Sequence, residues 1–480
     1  MIAMWTFLGF LACFLVIGLV SATKSRGTKD DYYLASRGVA PWLVGLSAVA
    51  TNNSGYMFIG VIGFTYAVGL SAVWLMIGWI AGDFAASLFI HRKLRIHTEL
   101  CEEPTFAGVL SRWNGQDFRF LRRLGAIITV LFLGAYAAAQ LSAGGKALQA
   151  TFGWDPHVGA LGVAGIVAVY CLAGGIRASI WTDAAQSFVM IVAMAILLSV
   201  GVASLGGPIA AWRGLTTIPD YLNWFPNDLV IPGALGPILF VVGWLFAGFS
   251  VVGQPHIMVR FMALDKPSHI AQARVWYYSY YVVFYSLATG VGILSRLYLP
   301  QLGNLDPELA LPTMARELLP EALLGLVLAG IFAATMSTAD SLVLSCSAAI
   351  THDLTPSRLE RTWQIKAATL LVTVLALTIA LSGNQSVFNL VIFAWSTLAS
   401  AFAPLLVFYT LGWRIREPVA VAMMIVGPLV AFLWREAGLQ NDIYEGMPGI
   451  LAGCLTYFVG TILIGDRPMQ QLQSERETNS

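Results

Sequence analysis

Within one apolar run, the residues Ala334-Thr335-Met336-Ser337-Thr338-Ala339-Asp340-Ser341 set three side-chain oxygen donors at helical spacing. On an α-helix Ser337 and Ser341 recur at i and i+4 and Asp340 shares their face at i+3, so the three form one stripe. A small hard cation such as Na⁺ prefers oxygen ligands and needs its hydration shell replaced. Hydroxyls, a carboxylate and backbone carbonyls freed from a helix do this together. The plainer role of Ser and Thr in a membrane helix is close packing or a bond back to the i−4 carbonyl. Asp340 favours the functional role, because a carboxylate at membrane depth costs at least ~2.5 kcal/mol on insertion scales.

Two further acids lie in apolar segments, Asp183 in Trp181-Thr182-Asp183 and Asp83 in Gly82-Asp83-Phe84. The plain role for Asp83 is pairing with Arg92 or Lys93 at the membrane interface. Tyr136 lies deep in another run beside Gly134, Ala135, Ala137 and Ala138, small neighbours that admit either a ligand or a second helix. Phosphate-binding glycine loops, paired catalytic carboxylates and a Ser/His/Asp set are not visible, and five of the six histidines, His91, His97, His256, His269 and His352, fall in or beside expected cytoplasmic loops. The sequence does not read as an enzyme.

Such side chains need backbone that departs from a regular helix, and the chain offers it twice. Ala50-Thr51-Asn52-Asn53-Ser54-Gly55 interrupts one apolar segment, and Gly248-Phe249-Ser250-Val251-Val252-Gly253-Gln254-Pro255 interrupts another about two hundred residues on. In hydrocarbon, unwound backbone survives only where it is buried in protein or lines a cavity, so paired breaks point to a transport site near the midplane. Composition agrees: 58% of the 480 residues are hydrophobic and 11% charged, against roughly 25% charged in globular domains. Apolar runs near the ~20 residues that cross a bilayer begin at about 3, 40, 68, 124, 156, 180, 234, 275, 321, 366, 387, 418 and 447, predicting thirteen transmembrane helices in an all-α integral membrane protein.

If the N-terminus faces outward, the loops around Lys24 to Arg37, Arg92 to Arg123, Arg177, Arg260 to Arg274, Arg358 to Lys366, Arg414 to Arg416 and the C-terminal tail all face the cytoplasm. Of the 27 basic residues only Lys146, Arg213, Arg296, Arg316 and Arg435 then fall elsewhere. Basic residues resist translocation, so this asymmetry predicts an outside N-terminus and a cytoplasmic C-terminus in a plasma membrane, a bacterial inner membrane by expectation. The run Ile2 to Val20 has basic residues after it, Lys24 and Arg26, and none before, the reverse of a secretory signal. It is expected to stay as a membrane helix. One membrane domain fills residues 1–480, and the net charge of +1 argues for no nucleic-acid partner.

Several ordered motifs carry a resemblance from about Asp31 to Leu411: Asp31-Tyr32-Tyr33-Leu34, Ser47-Ala48 with Ser54-Gly55, Leu94-Arg95-Ile96-His97-Thr98-Glu99, Gly174-Gly175 with Trp181-Thr182-Asp183, Gly253-Gln254-Pro255-His256 with Arg260-Phe261-Met262-Ala263, and Met336-Ser337-Thr338. By these the chain resembles the sodium/solute symporter family, most closely its sodium/proline branch. The resemblance implies an amino-acid-transporter-like fold with a 5+5 inverted-repeat core. Residues 40–204 and 234–412 would be the two repeats, with accessory helices at 1–22 and 418–465. It also implies a principal sodium site at Ala50, Asn53, Ala334, Ser337 and Thr338, and, from some members, a second ion site at Asp183, Ser337 and Ser341. Asp340 stands where such members can have a hydroxyl, and could add charge or carry a proton there.

For the solute, the resemblance points to the two breaks, at Asn52, Ser54, Gly55, Ala247, Gly248 and Val251, and to Tyr136. Asn52 stands where sodium/proline symporters have an acid, and Ala247 and Val251 where they offer Trp and Tyr. Losing two rings removes stacking surface for a pyrrolidine. The implied function is Na⁺-coupled import of a small organic solute, an amino acid such as proline or a relative, or a small organic acid, with the lipid bilayer as surroundings. The competing readings are a membrane sensor on a transporter fold, against which stands the lack of a signalling domain after Ile464, and proton coupling through Asp340 and Asp183.

Overall fold

The computed structural model describes residues 1–23, 28–300, 306–355, 361–383 and 386–464. The expected cytoplasmic residues Lys24, Arg26 and Arg358, and the tail from residue 465 on, lie outside the described residues. The chain is 84% helix, with no strand among the described residues. An all-helical answer is what a chain this apolar requires, since in lipid each backbone N–H and C=O must be paired within its own segment. Among the described residues, eleven helices are long and apolar enough to cross a membrane.

Thirteen runs become eleven such helices for two local reasons. The runs at 40 and 68 both fall within the helical stretch Pro41–Ser87, which breaks at Ser54 and turns at Gly69 (φ 72°, ψ −138°) between Ile62–Val68 and Val73–Ser87, and the run at 156 gives an apolar helix, Pro156–Val169, shorter than a full span. That helix continues as Pro156–Ser204, bent at Gly175, whose φ is 58°. A Cβ there would lie 2.6 Å from the Tyr32 carbonyl oxygen. The conformation and the crowding both demand glycine.

Helix starts follow their sequence signals. Pro41, Pro156, Pro208 and Pro255 each stand at the beginning of a helix, where a missing N–H costs nothing. Thr105 and Ser386 accept from the backbone N–H three residues on, at 3.0 and 3.3 Å, as N-caps do.

Both expected interruptions are present. The first helix, Pro41–Tyr56, breaks at Ser54, whose φ of 46° and ψ of 175° leave the helical region; a π-helical turn, Met57–Val61, follows, then Ile62–Val68. In the second, Leu235–Phe249 passes through a 3₁₀ turn, Ser250–Gly253, to an extended Gln254 and then Pro255–Met262. The Gln254 side-chain Nε2 donates to the Ser250 and Trp395 carbonyls at 3.2 and 2.9 Å. That amide satisfies carbonyls that water cannot reach. At the centre stands Glu321–Ala348, the helix of the hydroxyl stripe, packed against Pro156–Ser204, Arg119–Phe152 and Pro41–Tyr56.

Candidate ion and solute site

The hydroxyl helix meets the first break where helical bonding lapses. Ser337 Oγ donates to the Ala50 carbonyl at 3.3 Å and lies 3.1 Å from the Ala334 carbonyl, while Thr338 Oγ1 donates to the Thr51 carbonyl at 2.9 Å. Four of the five residues expected at the principal ion site, Ala50, Ala334, Ser337 and Thr338, are thereby gathered at one junction. The fifth, Asn53, is fully buried beside them on the same helix, and neither polar atom of its side chain has a hydrogen-bond partner. A buried amide with nothing to bind costs on the order of 1–3 kcal/mol.

One helical turn from Ser337, the three residues of the expected second ion site come together around a group that the sequence reading had put elsewhere. Asp183 and Asp340 are both fully buried, and the guanidinium of Arg260, also fully buried, lies between them, 3.5 Å from Asp183 Oδ2 and 4.0 Å from Asp340 Oδ1. The Arg260 Nη2 also donates to Ser179 Oγ at 2.8 Å and to Ser341 Oγ, and Nη1 donates to the His256 carbonyl at 2.7 Å. Ser47 donates to Asp183 at 2.6 Å, and Ser179 and Ser341 to Asp340 at 3.0 and 2.9 Å. Arg260 was counted above among cytoplasmic loop residues. The structure corrects this: the short helix Pro255–Met262 carries it into the core. Two buried carboxylates demand a counter-charge, and that was the signal available in the sequence.

On the solute side, Tyr136 OH donates to Ser54 Oγ at 3.2 Å, and the Gly55 N–H donates to Gln140 Oε1 at 2.8 Å, so the helix Arg119–Phe152 holds the first break by two bonds. Asn52 turns away from this junction. Its amide donates to Tyr277 OH at 2.5 Å and to Asp83 at 3.4 Å, and Asp83 accepts from Tyr277 and Tyr278 at 2.7 Å each. Asp83 is thus fully buried in a nest of neutral donors rather than paired with Arg92 or Lys93 at an interface.

In the second break, Ala247 and Val251 are fully buried. The Ala247 carbonyl accepts from Trp395 Nε1 at 3.1 Å. A Cβ on Gly248 would come within 2.1 Å of the Trp79 carbonyl oxygen, so Gly248 serves helix packing. Rings therefore border this break although Ala247 and Val251 are small: Trp395 lies 5.3 Å from Trp79 and 6.3 Å from His256, and His256 meets Tyr136 edge-on at 5.5 Å. The solvated or interfacial setting expected for His91, His256 and His352 is likewise corrected, since all three are buried. Both ring nitrogens of His256 lack a hydrogen-bond partner. Trp395, His256, Gln140 and Arg260 are the residues that sequence reasoning missed.

The family model described as the sodium:solute symporter family matches residues 32–427. The chain belongs to that family. Its activity is sodium-coupled symport of a solute. The symporter is 30% identical over 462 residues to the high-affinity proline transporter PutP of Bacillus subtilis (strain 168), covering 94% of this chain and 95% of that one. It is 29% identical to the sodium/proline symporter of Salmonella typhimurium, covering 98% and 94%. Among solved structures, a Na⁺-coupled sialic acid symporter in a substrate-bound outward-open state superposes with a TM-score of 0.81 at 19% identity, over 98% of this chain and 99% of that one. The Mhp1 nucleobase-cation symporter follows at 0.57 and 16% identity, over 94% and 97%. These two likenesses speak for the fold of the symporter, a multi-pass membrane protein.

Proposed function

We propose that the symporter imports proline or a close relative together with Na⁺, binding both at the first break and exchanging access between the two membrane faces. The observation that carries this is the junction of Ser337 and Thr338 with the Ala50 and Thr51 carbonyls. Na⁺ is held in this reading by oxygens of Ala50, Asn53, Ala334, Ser337 and Thr338. The solute contacts Ser54, Gly55, Tyr136, Ala247 and Val251, with Asn52 and Gly248 supporting the two breaks from behind. Residues 40–204 and 234–412 form the inverted repeats, and the chain sits in a bacterial inner membrane with its N-terminus outside.

Proline was disfavoured by the missing rings at Ala247 and Val251. Trp395, bonded to the Ala247 carbonyl, supports its return, because an indole there offers the apolar face that the break itself lacks. The named proline-transporting relatives support the same choice. Ion and solute share one broken helix, so each favours the conformation that the other binds.

The test is a thermal-shift screen of amino acids and small carboxylates with and without Na⁺, since only ligands of the native state raise its stability. Proline stabilising the protein in Na⁺ and much less in K⁺ supports the proposal. Stabilisation by a carboxylate that is not an amino acid, with none from proline, would replace the substrate. No ligand effect, and no transport of any of them, would favour the sensor reading.

A further inference from the structure

We propose that the Arg260 guanidinium is a built-in cation that takes the place of a second coupling ion between Asp183 and Asp340, so that one Na⁺ is carried per solute. This rests on the symport reading above. With both carboxylates ionised, Asp183, Asp340 and Arg260 sum to one net negative charge in a region where all three side chains are fully buried. An uncompensated charge there costs several kcal/mol. One Na⁺ at the Ala50–Ser337 junction brings the sum to zero; a second would leave an excess positive charge.

The geometry lets the two centres sense each other. Thr51 gives its carbonyl to Thr338, while its hydroxyl lies 3.5 Å from Asp183 and 3.3 Å from Ser341. Ser341 Oγ lies 2.6 Å from the Ser337 carbonyl, and Arg260 donates to that same hydroxyl. Asp183 Oδ1 and Arg260 Nε are buried without a partner, so the cluster keeps unused capacity on both signs. A guanidinium differs from a bound ion in one respect that matters for coupling: it cannot leave with the solute. Arg260 also lines a small cavity together with Tyr32, Tyr33, Thr105 and Asp353.

The experiment counts Na⁺ directly, by equilibrium binding of radioactive sodium to purified protein and by charge moved per proline in proteoliposomes. Wild type is expected to bind one Na⁺ with a Hill coefficient near one and to move one charge per proline. Arg260→Gln uncovers the acid pair, so bound Na⁺ and the charge ratio should both rise towards two. Arg260→Gln with Asp340→Asn restores the net charge and should return both to one. In Asp340→Asn alone, apparent Na⁺ affinity should fall by about tenfold or more, since a negative charge one turn from the ion is lost. If Arg260→Gln does not fold, the wild-type count and the Asp340→Asn affinity still decide.

Two Na⁺ bound by wild type, one Na⁺ in a transporting Arg260→Gln variant, or unchanged affinity in Asp340→Asn would each overturn the proposal. These results differ from a failure of the symport reading, in which wild type would bind no Na⁺ at all.

Discussion

Thr338 Oγ1 donates to the Thr51 carbonyl at 2.9 Å, across the gap between the hydroxyl helix and the first broken helix. A threonine bonded in this way loses its acceptor when the first broken helix shifts, so at the proposed ion site ion binding and helix position would be linked through a single residue. Thr51 then passes the link on, since its hydroxyl reaches Asp183 and Ser341.

Ser337→Ala and Thr338→Ala each delete one oxygen from the junction. Each is expected to weaken apparent Na⁺ affinity by about tenfold, the lower end of what a hydrogen bond to a charged group contributes. Proline uptake measured against Na⁺ concentration checks this. Unchanged Na⁺ dependence in both variants would remove the ion from this junction.

Trp395 separates ring from bond. Trp395→Phe keeps an aromatic face but loses the donor to the Ala247 carbonyl, a cost of about 1 kcal/mol, and should weaken proline binding only a few-fold. Trp395→Leu removes the ring as well and should weaken it considerably more. Equal losses in the two variants, read as KM for proline at saturating Na⁺, would mean that the ring does not meet the solute.

Asp83 accepts from Tyr277, Tyr278 and Asn52 while fully buried. Asp83→Leu orphans three donors and should cost about 2–5 kcal/mol of stability, seen as a lower melting temperature in detergent. Asp83→Asn retains one acceptor oxygen and should lie between that variant and wild type. A leucine variant as stable as wild type would show that the nest contributes nothing.

Glu103 supplies a pH test outside the spanning helices. Burial pushes its carboxyl up, but the bond from His352 and the charges of Arg122 and Arg112 outweigh burial and hold it at about 2. Arg112 lies 2.8 Å away, Arg122 3.3 Å and His352 2.5 Å. A folded value below the ordinary carboxylate range means that this stabilisation is complete above about pH 4.5 and is lost as pH falls towards 2. The difference corresponds to about 3 kcal/mol. Glu103→Gln should therefore melt lower than wild type at pH 7, and the two should converge on acidification. Parallel melting curves across that range would place the stabilisation elsewhere.

Much of the architecture was legible in the residues. Both helix breaks were read from small and polar residues within apolar runs; hydroxyls at i and i+4 with an acid at i+3 marked the central helix, while the junction set of Ala50, Asn53, Ala334, Ser337 and Thr338 came from the family resemblance. Three things were not. The helix count differed because the two runs within Pro41–Ser87 are joined by short turns at Ser54 and Gly69 and because Pro156–Val169 is short, features set by local backbone and not by apolar length. Arg260 looked like a loop cation because charge counting along a chain cannot see a short helix folding inward to two acids, one far before it and one far after. Trp395 was invisible as a solute-side residue because its role depends on packing between helices distant in sequence, and Ala247 gave no sign of what would cover it.

The central claim is that a Na⁺ gradient drives proline uptake through the Ala50–Ser337 junction. The most direct measurement is uptake of labelled proline into proteoliposomes at fixed pH, with an inward Na⁺ gradient imposed on wild type and on Ser337→Ala. Accumulation above equilibrium in wild type that collapses when K⁺ replaces Na⁺, and that needs about tenfold more Na⁺ in the variant, is the result expected. Accumulation that ignores Na⁺ and follows a pH gradient, or that is the same in both proteins at every Na⁺ concentration, would contradict the account.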